Sequence, residues 1–311
     1  MFIDDLYSIA LVQPSRAYDD LKIVTGYASP SMVTKHLTSL SQEKYQGNVE
    51  IIIGMTAKDG LQNYAHKAFN QLVSRKGNFF CNYMVKKPVH AKLFIWMRNG
   101  QPKLAFIGSS NYSQNGFCGG NFETIDKCDP INAFQVFSQL KQESISCDQS
   151  DVASLVNIKK RPPNSNISQN SIAQYGSRIR LSLLDSRSGL VHEKSGLNWG
   201  QRQNREKNQA YIPVSTRAEG IDLLPPRFAH FTIVTDDDVV LNCVRAQDNG
   251  KAIETYENNS ILGEYFRDRL NVPRGAYVYL EDLERYGRTT VDLYKINDYE
   301  FFMDFSVPQN A

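Results

Sequence analysis

The 311-residue sequence has no long hydrophobic run, no paired cysteines and no strong excess of charge of either sign. No apolar segment approaches the roughly 18 residues that a membrane-spanning helix needs, and acids stand near the start where a secretory signal would carry positive charge. The five cysteines are scattered without a Cys-x-x-Cys pair, which excludes a disulfide framework and a zinc module. We therefore expect a cytoplasmic protein without a membrane anchor, its cysteines buried as small hydrophobic residues.

The net charge of +2 conceals an uneven distribution along the chain. It divides into +4 for residues 1–160, +5 for residues 161–220 and −7 for residues 221–311. The middle stretch is the densest in positive charge, which favours a polyanionic partner. At roughly 100–200 residues per domain, the length predicts two domains.

The first part of the chain alternates strand-like and helix-like patterns, which predicts an α/β domain over residues 1–150 with a mixed sheet flanked by helices. Asn99-Gly100 is typical of a hairpin turn. The predicted strands are 21–28, 49–55, 79–85, 90–97 and 104–108. The predicted helices are 31–45, opened by Ser31, 61–76, and 129–144, opened by Asp129-Pro130.

The second part of the chain has a different character. Residues 151–176 are polar and rich in Asn, Ser and Pro, and they are interpreted as a linker. Short strands with turn signals and one helix, from Ser260 to about Leu270, then predict a mainly β pseudobarrel over residues 177–311. The predicted strands are 178–184, 209–214, 228–235, 239–246, 276–280, 290–296 and 299–305.

Two neighbouring strand ends of the first domain carry the residues of a phosphate site. His90 and Lys92 stand two apart at the start of a predicted strand, and Ser109 and Asn111 follow the end of the next one. An imidazole, an ammonium, a hydroxyl and a carboxamide would converge there, and the Gly-Ser-Ser turn would add backbone N–H groups for an anion. Glu123 could orient the imidazole through its second nitrogen.

The HxK, GSxN and NxE motifs resemble the signature of the phospholipase D superfamily, in which the histidine attacks phosphorus. The usual aspartate after the lysine is missing, since Trp96, Met97 and Arg98 stand there, and this departure resembles the nuclease branch. Members use two copies of the motif, one histidine as nucleophile and one as general acid. The single copy here therefore implies a homodimer formed through the N-terminal domain, with the site on the two-fold axis.

The second domain carries two clusters suited to reading duplex DNA. Arg, Asn and Gln make paired hydrogen bonds to base edges, and further cations hold phosphates. The first arm contains Arg187, Lys194, Asn198, Trp199, Gln201, Arg202, Asn204 and Arg205. The second arm contains Arg245, Gln247, Asp248, Asn249 and Lys251.

Segments 196–202, 210–214, 244–253, 259–266 and 282–289 resemble the C-terminal half of NgoFVII-type restriction endonucleases. That resemblance implies a phospholipase D-like nuclease dimer joined to a pseudobarrel similar to the B-three domain of plant transcription factors. It further implies a short, GC-rich duplex site, a cognate DNA methyltransferase, and in some members a separate ATPase or helicase-like subunit. The sequence has no GxxxxGK[ST] loop, so any ATP would be used by such a subunit.

These observations favour a sequence-specific, type II-like DNA endonuclease that works through a phosphohistidine and needs neither a metal nor another cofactor. A non-catalytic DNA-binding protein and a phospholipase D-type phosphodiesterase with another substrate remain as alternatives. Asp5 with Asp20-Leu21-Lys22 loosely matches a metal-dependent nuclease pattern. Asp236-Asp237-Asp238 could hold a cation but is better interpreted as a solvated hairpin turn. His36, His66, His192 and His230 are interpreted as surface or structural residues.

Overall fold

A computed structural model describes residues 5–119, 122–159 and 177–307. The chain divides into two units, Met1–Pro162 and Pro163–Ala311, and each unit contains a seven-stranded sheet. The strands of the first unit are β1 (Asp20–Thr25), β2 (Asn48–Ile53), β3 (Leu61–Gln62), β4 (Phe79–Met84), β5 (Leu93–Arg98), β6 (Gln101–Gly108), β7 (Ile125–Cys128), β8 (Ser144–Ser146) and β9 (Ile158–Lys159).

The main sheet of the first unit has the order β7-β6-β5-β1-β2-β4-β8. The central strands β1, β2 and β4 are parallel, and the outer strands are antiparallel to their neighbours. The hairpin turn between β5 and β6 is confirmed, since Asn99 and Gly100 have φ angles of 52° and 71°. The predicted mixed α/β sheet is thus confirmed.

Helices cover both faces of this sheet. On one face, Ala133 and Phe137 pack against apolar side chains of β1 and β5, such as Val24 and Ile95. On the other face, the indole nitrogen of Trp96 donates to the carbonyl of Ala10 at 2.8 Å. The helices are α1 (Pro30–Gln42), α2 (Thr56–Asp59), α3 (Asn63–Arg75), α4 (Gln114–Cys118), α5 (Pro130–Gln142) and α6 (Val152–Leu155), preceded by a π-helical turn (Ser8–Val12) and a 3-10 turn (Gln13–Arg16).

Several element ends in the first unit differ from the sequence prediction. α5 begins as predicted, with the Asp129 carboxylate accepting from the backbone N–H of Asn132 at 2.8 Å. The N-cap of α1 is Ser29 rather than Ser31, because the Ser29 hydroxyl accepts from Met32 N–H. Leu61 is not helical, since it pairs with Ile158 of β9.

That pairing also corrects the linker prediction. Residues 152–159, which the sequence places in the linker, form α6 and β9, and β9 pairs in parallel with β3. The polar composition of this stretch masked its two apolar anchors, Val152 and Val156, which are both buried. The remaining residues of the predicted linker, 160–176, lie outside the described residues.

The sheet of the second unit has the order β10-β15-β16-β12-β13-β14-β11. Its two end strands, β10 and β11, lie against each other, so the sheet nearly closes on itself as the predicted pseudobarrel requires. Phe231, Leu241, Phe266 and Phe301 lie in its hydrophobic core. The elements are β10 (Arg178–Ser182), β11 (Ile212–Pro213), β12 (His230–Thr235), β13 (Val240–Ala246), β14 (Ala252–Thr255), α7 (Ser260–Leu270), α8 (Leu280–Tyr286), β15 (Thr290–Asn297) and β16 (Glu300–Asp304).

Three predictions for this unit are wrong in detail. No strand forms over 276–280, because the backbone N–H of Tyr279 donates to the Asp282 carboxylate at 2.8 Å and α8 begins at once. Strand β14 was missed because all four of its residues are buried and no polar alternation marks it. Ser260 is the first residue of α7, and its cap is Asn259.

The turn after β12 is also less solvated than predicted. Asp236 is buried and accepts hydrogen bonds from both terminal nitrogens of Arg269, at 2.9 and 2.8 Å.

Among the cysteines, Cys81, Cys147 and Cys243 are buried as expected, whereas Cys118 is exposed. Within the described residues, no helix is both long enough and apolar enough to cross a membrane.

Candidate functional site

His90 and Lys92 lie on the segment that leads into β5, which begins only at Leu93 and not at His90 as predicted. The Lys92 Nζ atom lies 3.0 Å from Nδ1 and 3.1 Å from Nε2 of His90, and it donates to the His90 carbonyl at 2.8 Å. Burial lowers the pKa of the Lys92 ammonium, while the charge of Glu123 acts in the opposite direction. The imidazole therefore lies beside a partly desolvated amine that can meet a phosphate.

Gly26, directly after β1, sets the position of the His90 ring. A Cβ atom on Gly26 would lie 2.7 Å from His90 Cδ2 and 3.1 Å from Asn111 Oδ1. Ordinary contacts between carbon atoms are about 3.5–4.0 Å long, so any larger residue would displace the imidazole. The sequence showed only a glycine at a strand end and gave no sign of this role.

Asn111 is held at the same strand end by the backbone of Tyr27. Its Oδ1 atom accepts from Tyr27 N–H at 3.1 Å. This bond uses the amide oxygen and leaves the Nδ2 donor on the opposite side of the amide group. The next residue, Tyr112, donates its N–H to the Thr25 hydroxyl at 2.9 Å and forms a parallel bridge with Ala28. The predicted meeting of Asn111 and His90 is therefore present: β5 and β6 pair as predicted, and the end of β1 adds the contacts of Gly26 and Tyr27.

A buried histidine, His36, supports the loop that carries Asn111 and Tyr112. His36 lies 2.6 Å from the Tyr112 hydroxyl through Nδ1 and 2.7 Å from the Leu11 carbonyl through Nε2. Since a carbonyl only accepts, Nε2 carries the proton and Tyr112 donates to Nδ1. Burial lowers the pKa of His36 to about 4, against a smaller opposing effect of the bond to Leu11. His36 is thus structural, as predicted, and it supports the residue next to Asn111.

Ser109 and Glu123 bind each other. The Ser109 hydroxyl donates to the Glu123 carboxylate and accepts from Thr124 N–H at 3.0 Å. This corrects the prediction that Glu123 orients the imidazole of His90. It also changes the predicted anion nest, because the Ser109 N–H is bonded to the Thr124 carbonyl at 3.0 Å.

Tyr27 is a further residue of the site that the sequence analysis missed. Its ring meets the His90 ring edge to face, with 5.9 Å between centroids, and its hydroxyl donates to Asp59 at 2.5 Å. That hydrogen bond, more than burial or the charge of Asp59, raises the pKa of Tyr27. The half-exposed ring therefore forms a fixed wall beside His90.

The acids of the metal-dependent alternative have other partners. Asp20 accepts from the backbone and side chain of Asn48, and Lys22 pairs with Glu50 at 3.0 Å. Among residues 5–119, 122–159 and 177–307, no group of three or more His, Cys, Asp or Glu side chains is placed to hold a metal ion. The other histidines have local partners: His66 lies near Tyr83, His192 accepts from Lys194 N–H, and His230 contacts Tyr256.

The first arm of the second unit presents most of its cations to solvent. Arg187, Lys194, Arg202 and Asn204 are exposed, and the Nε atom of Arg202 donates to the Lys194 carbonyl at 2.7 Å. Arg205 is half-buried because its guanidinium lies 3.8 Å from the centroid of the Trp199 ring.

Three predicted base-reading residues instead hold this arm in place. The Asn198 side chain is 1% exposed; it donates to the Val278 carbonyl at 2.8 Å and accepts from Val278 N–H at 2.9 Å. Trp199 is buried under Arg205, and the Gln201 amide nitrogen donates to the carbonyls of Lys207 and Gly275. These contacts correct the prediction for Asn198 and Trp199, whose side chains are not at the surface.

A fully buried arginine reinforces the same anchor. Arg267 of α7 donates to the carbonyls of Leu197, Gly263 and Ala276 at distances of 2.9–3.2 Å. Burial lowers the pKa of its guanidinium, against a smaller opposing effect of Glu206. The arm is therefore fixed by groups far away in sequence, which no local pattern could indicate.

The second arm folds tightly around Arg245. Its Nε atom donates to the Gly250 carbonyl at 3.0 Å, and a Cβ on Gly250 would lie only 2.5 Å from that nitrogen. Gly250 has a φ of 63°, which suits glycine. The tip of the arm is exposed at Asp248, Asn249 and Lys251.

Glu254 of β14 is hydrogen-bonded to the second arm and lies within reach of the charge of Arg205 in the first arm. Gln247 of the second arm donates to Glu254 at 3.1 Å, and Asn259 donates to its other oxygen at 3.2 Å. Burial raises the pKa of Glu254, and these hydrogen bonds together with the charge of Arg205 act against that rise. Residues of the first and second arms therefore lie close together on one part of the second unit.

Several solved structures match part of this chain at low sequence identity. Among solved structures, NucT from Helicobacter pylori is 15% identical, with a TM-score of 0.33 over 44% of this chain and 89% of that chain. A phospholipase D family member, Nuc from Salmonella typhimurium, is 15% identical, with a TM-score of 0.33 over 45% of this chain and 88% of that chain. Polyphosphate kinase from Porphyromonas gingivalis is 16% identical, with a TM-score of 0.29 over 51% of this chain and 23% of that chain. The comparison with curated proteins gives no match.

The families matched by sequence cover nearly the whole chain. Residues 4–154 match the NgoFVII restriction endonuclease N-terminal PLD domain. Residues 170–297 match the NgoFVII C-terminal B3-like DNA-binding domain. The chain therefore belongs to the NgoFVII restriction endonuclease family and joins a phospholipase D-like nuclease domain to a B3-like DNA-binding domain.

Proposed function

We propose that this protein is a sequence-specific, type II-like restriction endonuclease that cleaves DNA through a covalent phosphohistidine. The observation that carries the proposal is the grouping of His90, Lys92 and Asn111 around Gly26 at the end of β1. This group pairs a nucleophile with a cation and an amide donor, which is what transfer of a phosphoryl group requires.

In the first step, a nitrogen of His90 attacks the scissile phosphorus and the bond from phosphorus to the 3′ oxygen breaks. His90 of a second copy of the chain gives its proton to the departing 3′ oxygen. The product of this step is one strand with a free 3′ hydroxyl and a second strand linked through its 5′ phosphate to His90.

In the second step, water attacks the phosphorus of the phosphohistidine. The histidine that gave up its proton now takes one from this water, and the bond between nitrogen and phosphorus breaks. A 5′ phosphate is released and both histidines return to their starting states. One HxK copy per chain therefore makes a homodimer necessary, with the two catalytic segments facing each other.

The surrounding side chains have separate roles in this proposal. Lys92 stabilises the developing negative charge, and the Nδ2 donor of Asn111 binds a phosphate oxygen. Ser109 donates to the phosphate once a phosphate oxygen replaces Glu123 as its acceptor, and Glu123 positions Ser109. Because the chain itself supplies cation and donors, the reaction needs no metal or other cofactor.

Sequence recognition belongs to the two arms of the second unit. The exposed cations and amides of the arms, including Arg187, Lys194, Arg202, Asn204 and Lys251, contact the duplex. Four half-buried side chains support these exposed residues or contact bases at the edge of the arms. They are Arg205, Gln201, Arg245 and Gln247. In a restriction-modification system, a cognate methyltransferase would protect the same short site.

Digestion of a sequenced plasmid in EDTA tests this function. We expect cleavage at defined sites by the wild-type protein and none by His90→Ala, which should still bind the plasmid. Binding at defined sites without cleavage would favour a non-catalytic DNA-binding protein, and hydrolysis of phosphatidylcholine instead of DNA would favour a phospholipase. Loss of all cleavage on chelation would contradict metal independence.

The same assay tests whether a partner ATPase contributes. We propose that any use of ATP occurs in a separate ATPase or helicase-like subunit. Cleavage by the purified chain alone should then be unaffected by ATP, and ATP should act only after the partner subunit is added. Stimulation of the purified chain by ATP would contradict this assignment.

A further inference from the structure

Phe228, which lies just before β12, has an unusual combination of exposure and backbone conformation. Its side chain is 61% exposed, and its φ angle is 64°. A bulky side chain rarely adopts this left-handed conformation, which is strained unless neighbouring contacts impose it. An exposed aromatic ring gains little hydrophobic free energy on folding. Neither local propensity nor burial therefore accounts for the positive φ angle of Phe228.

The contacts that impose this conformation come from the second arm. The backbone N–H of Phe228 donates to the carbonyl of Arg245 at 3.1 Å. The preceding guanidinium, of Arg227, lies 4.6 Å from the centroid of the Phe228 ring and 3.6 Å from the carboxylate of Asp248. Residues 227 and 228 are therefore fixed to the arm that the sequence analysis singled out, although they lie outside it.

Backbone strain is concentrated in the same place. Gln247 has a φ of 62° and a ψ of 171°, a region that is almost restricted to glycine, and Asn249 has a φ of 58°. Together with Phe228 these are three residues with positive φ within one small surface. Such strain persists where several surrounding contacts together hold the unfavourable conformation. It is typical of ligand-binding loops.

We propose that residues 227 and 228 extend the second arm as a further DNA contact, with the Phe228 ring meeting a base or deoxyribose edge. Three cations attract the phosphates: Arg227, Arg245 and Lys251. The Phe228 ring adds an apolar contact whose strength depends on the base edges exposed in the groove. The inference rests on the proposed function, because it requires the second unit to bind a specific duplex.

Substitution by glycine separates this role from a structural one. Glycine tolerates positive φ, so Phe228→Gly removes the ring without straining the backbone. Asn271→Gly is the matched control, since exposed Asn271 also has a positive φ, of 54°, at the end of α7. Phe228→Tyr keeps the ring and should keep the affinity.

The probe is the duplex that the wild-type protein enriches from a randomised oligonucleotide library, compared with a random duplex of equal length. We expect Phe228→Gly to lose roughly tenfold in affinity for the enriched duplex, with affinity for the random duplex unchanged, because phosphate contacts dominate non-specific binding. Asn271→Gly and Phe228→Tyr should bind both duplexes as the wild type does, and thermal unfolding should show that all three variants fold.

Three results would overturn the inference. Wild-type affinity of Phe228→Gly for the enriched duplex would remove the ring from the interface. An equal loss on both duplexes with a lower melting temperature would make the ring structural. A change from dimer to monomer with unchanged affinity would assign Phe228 to contact between copies of the chain. Failure of the wild-type protein to enrich any duplex would instead refute the proposed function.

Discussion

Replacement of Gly26 by alanine should impair catalysis while leaving the fold and DNA binding intact. The new Cβ would lie 2.7 Å from His90 Cδ2, about 1 Å closer than an ordinary contact between carbon atoms. The imidazole would have to retreat by about that distance, and a displacement of about 1 Å can reduce a rate about 100-fold. This corresponds to about 3 kcal/mol of lost transition-state stabilisation.

The assay is single-turnover cleavage of the protein's own duplex site at saturating enzyme. Gly77→Ala is the matched control, because a Cβ on Gly77 has no neighbouring atom within 4 Å. Gly77→Ala should cleave as the wild type does, and both variants should bind the duplex equally well. A Gly26→Ala protein that cleaves at the wild-type rate would refute the claim that Gly26 sets the position of His90.

Three further variants test the structural roles of His36 and Asn198 and the DNA-binding role of Arg202. Burial holds the pKa of His36 at about 4 in the folded state, against 6.5 normally. The free energy of unfolding should therefore fall by about 3 kcal/mol as pH drops from about 6.5 to 4. Urea unfolding of His36→Gln should lack this component, and an undiminished pH dependence would contradict it. Asn198→Ala should lower the free energy of unfolding by about 1–3 kcal/mol, because it leaves buried Val278 backbone groups unpaired; unchanged unfolding would refute that role. Arg202→Ala should weaken binding to the specific duplex by about 1–3 kcal/mol without changing unfolding, and unchanged affinity would remove it from the reading surface.

Short motifs made the proposed catalytic residues accessible from sequence, because HxK and GSxN each lie within a few neighbouring positions. The α/β and mainly β classes of the two units followed from periodicity and turn signals, and the particular folds from the resemblance of the motifs. Gly26 and Tyr27 were missed because they reach His90 and Asn111 across more than 60 residues of sequence. The acid Glu123 was assigned to the wrong partner for the same reason, since the pairing of β6 with β7 brings it to Ser109.

The two arms proposed to bind DNA show a second limit of prediction from sequence. Composition predicts that Arg, Asn and Gln in a basic segment read bases, but it does not distinguish exposed Arg202 from buried Asn198. Burial of Asn198 is decided by Val278, which lies 80 residues away. Phe228 was missed because the sequence predicts a strand over 228–235, in which a phenylalanine is usually part of the core. The strand begins only at His230, and the φ angle and exposure of Phe228 mark it as different.

The most direct test of the account is mass spectrometry of the protein quenched during cleavage of DNA in EDTA. Phosphohistidine chemistry predicts a covalent adduct on His90 that carries the strand with the 5′ phosphate, and its absence in His90→Ala. An adduct on another residue, or cleavage in EDTA that persists in His90→Ala, would contradict the central claim.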